Sequence, residues 1–146
     1  MKIHRFTFID LLVMIGVLAI LLAIFLLAMN PFRQFSHADN LKRASDVVTI
    51  LSAVHQYADD NKGMLPASIT TTEQSIGNTG ADICSAIVPT YIRTLPVDPF
   101  VNMGTSIATC SGSYVTNYTI VKSVTDNHVT VRAPAAAQGV TISVTW

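Results

Sequence analysis

The first 29 residues contain a long run of apolar side chains with a single charge in it. No residue from Leu11 to Met29 is charged, and Asp10 is the one charged residue between Phe6 and Met29. A helix of about 19 residues rises roughly 28 Å, close to the ~30 Å hydrocarbon thickness of a bilayer. The pattern therefore predicts a membrane-spanning helix over residues 6–30, with one acidic residue near its start.

The next stretch, residues 31–63, has the pattern of an amphipathic helix. Apolar residues recur there at spacings of three and four, which places them on one face. These residues are Leu41, Ala44, Val47, Val48, Leu51, Val54 and Ala58. Gly63 is a favourable residue just after a helix, and Pro66 prevents the helix from resuming.

Pro31 lies at the junction of the two stretches. It lacks an N–H group and disfavours helical geometry in the residue before it, so it predicts a kink or an end near Asn30. We expect one kinked helix that includes both stretches. The alternative is a real break followed by a new helix, for which Ser36–Asp39 would provide the capping box.

The remainder of the chain changes from irregular to strand-like. Residues 64–112 predict a loop region with one short helix within 82–92, and two prolines exclude helix in Leu95–Phe100. Residues 113–146 alternate between apolar and polar side chains in three runs, which predicts three antiparallel strands. The fold class is therefore α+β: a long kinked helix packed on a small antiparallel sheet, with residues 31–146 forming one globular head.

Composition and charge exclude several classes of function. The chain has 146 residues, with nine basic and nine acidic side chains and no net charge, so no global basic field attracts nucleic acid and we do not expect DNA binding. No Ser/His/Asp arrangement, metal-ligand spacing or Gly-rich phosphate loop is present, so we predict no enzyme, no catalytic residue and no cofactor. Three basic residues predict a solvated helix face or a contact with lipid headgroups: Arg33, Lys42 and Arg43.

Several side chains in the head have simple structural interpretations. Cys84 and Cys110 lack the CxxC spacing of a metal site, so we predict no metal. They predict a disulfide if this part of the chain lies outside the cytoplasm, and two buried thiols otherwise. Asp39 and Arg43 are spaced for an i,i+4 pair. Asp98, between two prolines, is predicted to anchor a turn and not to bind a metal.

The first five residues form a short basic leader. Lys2 and Arg5 favour a cytoplasmic N-terminus for a helix that crosses the membrane once. The apolar run is longer than that of an ordinary signal sequence and is not followed by a small-residue cleavage site, so we expect the membrane segment to be retained.

Two motifs resemble one known family. The stretch from Phe6 to Val13, Phe-Thr-Phe-Ile-Asp-Leu-Leu-Val, resembles the N-terminal signature of type IV pilins and of the pseudopilins of type II secretion, in which a glycine precedes Phe-Thr-Leu-Ile-Glu-Leu-Leu-Val. Leu95–Phe100, Leu-Pro-Val-Asp-Pro-Phe, is similar to the Leu-Pro-x-Asp-Pro-aromatic segment of major pseudopilins and related small pilins. The resemblance implies a type IV pilin-like fold and a structural filament subunit.

The resemblance also implies roles for individual residues. A prepilin peptidase would cleave between Arg5 and Phe6, and Phe6 would be N-methylated. Asp10 would pair with the free amine of Phe6 in a neighbouring subunit and align subunits for assembly. Gly16 and Pro31 would let the helix loosen during packing. The implied partners are identical subunits, membrane lipid before assembly, the peptidase and the pilus assembly machinery, and the filament would be extracellular or periplasmic.

Two positions depart from the family pattern. Arg5 stands where the peptidase expects glycine, and Asp10 replaces a glutamate that is one methylene longer. Asp10 also has a purely local interpretation, because Thr7-Phe8-Ile9-Asp10 matches a capping box. An Asp-rich calcium loop like that of major pseudopilins is absent from the sequence. Three functions therefore stay open: a pilus subunit, a secretion pseudopilin, and a membrane-anchored binding module that does not polymerise.

Overall fold

The structure, a computed structural model, describes residues 7–29 and 31–146. The chain divides into two compact units, one that ends at Phe35 and one that spans Ser36–Trp146. We call the second unit the head.

Two helices make up the N-terminal part of the described chain. Helix α1 spans Phe8–Met29 and helix α2 spans Pro31–Asp60, and Asn30 lies outside the described residues. The prediction of a long helix with an apolar and an amphipathic half is confirmed. The alternative of a new helix at Ser36 is wrong, because α2 continues through that residue without interruption. Pro31 lies within the helical stretch Phe8–Asp60, where its ring can donate no backbone hydrogen bond.

Helix α2 ends in a Schellman motif one residue earlier than the sequence indicates. The backbone N–H of Gly63 donates to the carbonyl oxygen of Ala58 at 2.7 Å, which is the 6→1 bond of that motif. Lys62 therefore occupies the left-handed C′ position, with φ at 59°, and Gly63 follows with φ at 83°. The prediction of Gly63 as the C′ residue is wrong by one position, because both residues adopt positive φ and the sequence favours glycine.

Four antiparallel strands form one sheet in the order β1-β2-β3-β4. Their bounds are Gln74–Gly77 for β1, Val115–Lys122 for β2, Val129–Arg132 for β3 and Ser143–Thr145 for β4. The last three confirm the predicted strands. Strand β1 lies in the segment predicted as loop, and it pairs with β2 with a register shift between Ser75 and Gly77. A short helix, α3, spans Cys84–Ile87, within the segment where a short helix was predicted.

The core of the head lies between α2 and the sheet. It combines buried residues of both: Val47, Ile50, Leu51 and Val54 from α2, and Tyr118, Ile120, Val129 and Val131 from β2 and β3. The α2 residues recur at spacings of three and four, and those of the strands recur at a spacing of two, so each element presents one apolar face. This packing confirms the α+β fold class.

Candidate assembly site

The first turn of α1 holds Asp10 in a capping box. The carboxylate oxygen Oδ2 of Asp10 accepts the backbone N–H of Thr7 at 3.0 Å and its hydroxyl at 2.7 Å. In return, the Asp10 N–H donates to the Thr7 hydroxyl oxygen at 3.3 Å. Thr7 and Asp10 thus satisfy donors that the start of a helix leaves unpaired, and a negative charge there is also favoured by the helix dipole.

The capping box, which is the local interpretation of Asp10, therefore forms within one chain. The pairing of Asp10 with an amine of another subunit stays a prediction. The predicted cleavage and N-methylation sites, Arg5 and Phe6, lie outside the described residues. Gly16 lies within α1, and a Cβ atom added to it would meet nothing within 4 Å. Its predicted role in helix flexibility, and that of Pro31, also stay predictions.

The apolar surface of α1 is open along its length. Every side chain from Phe8 to Ala28 is exposed. Helix α1 lies in the one helical stretch of the described chain that is long and apolar enough to cross a membrane. Twenty-two residues with a single charge thus present apolar surface in all directions. A helix that is apolar on all sides is typical of a membrane span or of a buried core.

A buried ion pair joins the Leu95–Phe100 motif to α2. Arg43 and Asp98 are both fully buried, and Arg43 Nε donates to Asp98 Oδ2 at 2.6 Å while Nη2 approaches Oδ1 at 3.3 Å. The remaining guanidinium nitrogen, Nη1, donates to the side-chain oxygen of Asn40 at 3.1 Å. Asp98 Oδ1 also accepts the backbone N–H of Phe100 at 2.9 Å. The hydrogen bond to Asp98 raises the pKa of Arg43.

This pair corrects the interpretation of Arg43. The sequence placed it on a solvated helix face with Asp39 as its partner, whereas the structure buries it against a residue 55 positions away. Arg43 lies at a core-facing position of α2, and only the carboxylate of Asp98 makes its burial possible, because an unpaired charge is expensive to bury. Asp98 does anchor its turn, as the two prolines around it indicated. Sequence reasoning missed the pair because the partners are far apart along the chain.

A second polar network lies beside the first. Asp46 Oδ2 accepts Lys42 Nζ at 2.6 Å and the hydroxyl of Tyr118 at 2.7 Å. Lys42 Nζ also donates to the carbonyl oxygen of Val97 at 3.1 Å. Helix α2 is thereby fixed both to the loop that carries Asp98 and to strand β2.

Buried Tyr118 and half-buried Tyr114 predict how the stability of the head responds to alkaline pH. Burial, with a hydrogen bond to Asp46, raises the pKa of Tyr118 above its ordinary value of 10.0, and burial with a hydrogen bond to Asp82 raises the pKa of Tyr114. These tyrosines therefore ionise at a lower pH in the unfolded chain than in the folded protein. We expect full stability below about pH 10 and a loss of stability as the pH rises further.

Absorbance near 295 nm during an alkaline titration measures this prediction. Tyr114 and Tyr118 should ionise only together with unfolding, which far-ultraviolet circular dichroism follows in parallel. The Tyr118→Phe variant should lose one of these late-ionising groups. Ionisation of all four tyrosines in the folded protein near pH 10 would contradict the prediction.

The predicted disulfide is confirmed and encloses the motif. Cys84 and Cys110 are bonded, with 5.6 Å between their Cα atoms, and the closed segment contains Asp98. The hydroxyl of Tyr114 accepts the backbone N–H of Cys84 at 3.2 Å and donates to Asp82 at 2.6 Å. A disulfide is typical of domains outside the cytoplasm. Within residues 7–29 and 31–146, no three His, Cys, Asp or Glu side chains cluster as metal ligands would.

His55 packs against Trp146 in an edge-to-face arrangement, with ring centroids 4.0 Å apart. Its Nδ1 lies 3.3 Å from Asp59 Oδ2.

The architecture is pilin-like: an apolar N-terminal helix precedes a helix that packs on an antiparallel sheet. Comparison of the chain with models of protein families, with curated proteins and with solved structures finds no significant match.

Proposed function

We propose that this protein is a structural subunit of a type IV pilus-like filament. In this proposal the chain is stored as a single-pass membrane protein and then polymerised through α1. The observation that carries the proposal is that every apolar side chain from Phe8 to Ala28 in α1 is exposed, whereas the head has a buried core of its own. The resemblance of Phe6–Val13 to the pilin signature supports it.

The apolar surface of α1 has to be buried away from water. Burying one Leu, Ile or Phe side chain is worth about 1.5–3 kcal/mol, and α1 exposes many such side chains. Lipid buries this surface while the subunit is stored. Once the helix leaves lipid, the surface needs an equally apolar cover, and the α1 helices of identical subunits provide one.

The leader, α1 and the head together suggest a membrane topology for this protein. The leader would remain in the cytoplasm, α1 would span the membrane, and the disulfide-bonded head would lie outside. We propose that identical subunits, lipid, a prepilin peptidase and the assembly machinery are the partners. We do not propose an enzymatic activity or a DNA-binding role, because the sequence carries no catalytic motif and no excess of basic residues.

The Asp10→Asn variant tests whether the charge of Asp10 acts in assembly. Asparagine keeps an oxygen that can accept the Thr7 hydrogen bonds, so the capping box persists while the charge is lost. If Asp10 pairs with an amine of a neighbouring subunit, we expect at least a tenfold loss of filament, equivalent to about 1.4 kcal/mol per subunit contact. Quantitative immunoblotting of the sheared filament fraction, relative to the membrane fraction, measures this.

Two matched variants complete that experiment. Asp10→Glu keeps the charge and has the length found in the family, so its filament yield should equal that of the unaltered protein. Asp59→Ala removes an exposed acid from the head and should also change little. Equal yields for Asp10→Asn and Asp10→Glu would assign Asp10 to the capping box alone.

Intact mass and N-terminal analysis of the native protein is the most informative test of the proposed function. A start at methylated Phe6, with filaments visible by negative-stain microscopy of sheared cells, would support the pilus subunit. The same start with periplasmic and no surface filaments would favour the pseudopilin. A start at Met1 with no filaments would contradict the proposal and favour the anchored binding module, the function that Arg5 in place of glycine favours.

A further inference from the structure

Two apolar side chains project from a turn of the head. Phe100 is 77 % exposed and Met103 is 94 % exposed. The backbone of this turn is left-handed at three successive residues, with φ angles of 47° at Asn102, 51° at Met103 and 72° at Gly104. Non-glycine residues adopt such left-handed geometry only at some energetic cost. We call Phe100 and Met103 the apolar knob.

Phe100, the aromatic member of the apolar knob, is held in place by the buried ion pair. Asp98 accepts the N–H of Phe100 with its carboxylate and the N–H of Val101 with its carbonyl oxygen. The guanidinium of Arg43 lies over the Phe100 ring, 5.4 Å from its centroid, and most of the Phe100 side chain stays exposed. An exposed aromatic side chain that is already ordered loses little entropy when it binds, which is the property of an interface anchor.

An open groove lies elsewhere on the head, between α2 and the segment that leads into β4. It has a volume of about 230 Å³ and is lined mainly by apolar atoms. The lining residues are His37, Asn40, Leu41, Ala44, Val140 and Ile142. Leu41 is 61 % exposed although it belongs to the apolar pattern of α2. Within the head nothing covers this groove, and it is large enough to accept a phenyl ring.

The apolar knob and the groove lie on different flanks of α2. Lys42 and Asp46 face the flank where Val97 and Tyr118 lie, next to the apolar knob. At 100° per residue, Leu41 and Ala44 face the opposite flank, toward Val140. The apolar knob therefore cannot enter the groove of its own chain. Two different patches that bind each other form a head-to-tail contact, which builds a ring or an open filament of subunits and not a two-fold symmetric pair.

We propose that the apolar knob of one subunit inserts into the α2–β4 groove of a second copy of this chain. The inference rests on the proposed polymerisation through α1, which places neighbouring heads side by side at a high effective concentration. Under that condition a small apolar contact suffices to fix how one head is oriented on the next. The occupant is a second copy because the same chain supplies both the ordered phenyl ring and an open apolar groove.

Disulfide cross-linking of full-length protein tests the contact. The Phe100→Cys/Leu41→Cys double variant should give a ladder of covalent multimers in sheared filaments after mild oxidation, because each subunit would bond to the next on both sides. Each single variant should give no ladder. As the matched control, Leu41→Cys is combined with Val124→Cys, a residue that is 83 % exposed in the turn between β2 and β3. Peptide mapping of Cys84–Cys110 shows that the native disulfide is intact.

The outcomes separate the contact from the proposed function. A ladder specific to the 100/41 pair supports the contact. Filaments in normal yield with no such ladder, or with an equal ladder from the control pair, overturn it and leave polymerisation through α1 standing. If the unaltered protein forms no filaments at all, both proposals fail.

A second variant measures the contribution of the apolar knob without a cross-link. Phe100→Ser should lower the filament yield at least tenfold at an unchanged amount of membrane-stored subunit. Met64→Ser removes an exposed apolar side chain outside both patches and should have no effect. An unchanged yield for Phe100→Ser would overturn the proposed contact.

Discussion

Replacing Asp98 by alanine should lower the free energy of unfolding of the head by about 3–5 kcal/mol. The substitution leaves the guanidinium of Arg43 buried without its carboxylate partner, since Asn40 supplies only one further hydrogen bond. It also removes the acceptor for the backbone N–H of Phe100. A loss of this size is a large fraction of the free energy of unfolding of a typical folded domain, which is roughly 5–15 kcal/mol.

Urea unfolding of the full-length protein in detergent measures this loss. The one tryptophan of the chain, Trp146, packs on His55 of α2 and reports unfolding of the head by its fluorescence. Glu73→Ala is the matched control, because it breaks the half-exposed ion pair between Glu73 and Arg132. Exposed pairs contribute only about 0–1 kcal/mol, so the control should stay close to the unaltered protein.

A double-mutant cycle separates the interaction energy between Arg43 and Asp98 from the contribution that each side chain makes by packing. In the Arg43→Met/Asp98→Asn variant neither charge remains, while asparagine can still accept the N–H of Phe100. We expect this double variant to lose less stability than the sum of its two single variants, with a coupling of about 0.5–3 kcal/mol. Additive effects, or an Asp98→Ala loss below 1 kcal/mol, would show that the pair does not stabilise the head.

Removal of the disulfide should have the second largest effect. The bond closes a loop with a sequence separation of 26 residues, and the chain-entropy model gives about 3.5 kcal/mol for a loop of that length. Cys84 is fully buried and is replaced by the small apolar residue alanine, whereas the half-buried Cys110 is replaced by serine. We therefore expect the Cys84→Ala/Cys110→Ser variant to unfold at a lower urea concentration by an amount that corresponds to this free energy.

Reduction of the unaltered protein provides the control for that variant. Full-length protein in a thiol reductant keeps both side chains and should lose a similar free energy of unfolding. If the variant is destabilised and the reduced protein is not, the loss comes from packing at Cys84 and not from the cross-link. If neither is destabilised, the loop-closure argument is wrong.

Much of the fold could be predicted from local patterns. The uniform apolar run of α1, the three-and-four spacing in α2 and the alternation in β2 each depend on neighbouring residues, so the sequence displays them directly. The capping box at Thr7 and Asp10 is equally local. Strand β1 was missed because its four residues show no clear alternation, and its pairing depends on a partner about 40 residues further along the chain.

The central ion pair could not be predicted because sequence spacing does not reveal it. An arginine four residues after an aspartate looks like a surface pair, and nothing near Arg43 indicates that it is buried. One signal was present: Arg43 lies four residues before Val47 and seven before Ile50, both of which are in the core. Extending the apolar stripe backwards would have placed a charge in the core and required an acidic partner for it.

The bonds that attach α2 to the rest of the head also bear on the order of folding. They join Arg43 to Asp98, Asp46 to Tyr118 and Asn40 to Ala137, across 55, 72 and 97 residues. Contacts between distant segments form slowly, because a long loop must close before any of them is gained. In the proposed topology α2 crosses the membrane before the strands do, so its apolar face and Arg43 would have no partners until the strands follow. Under that proposal, the head of a newly inserted chain would expose apolar surface for a time and would be prone to aggregation.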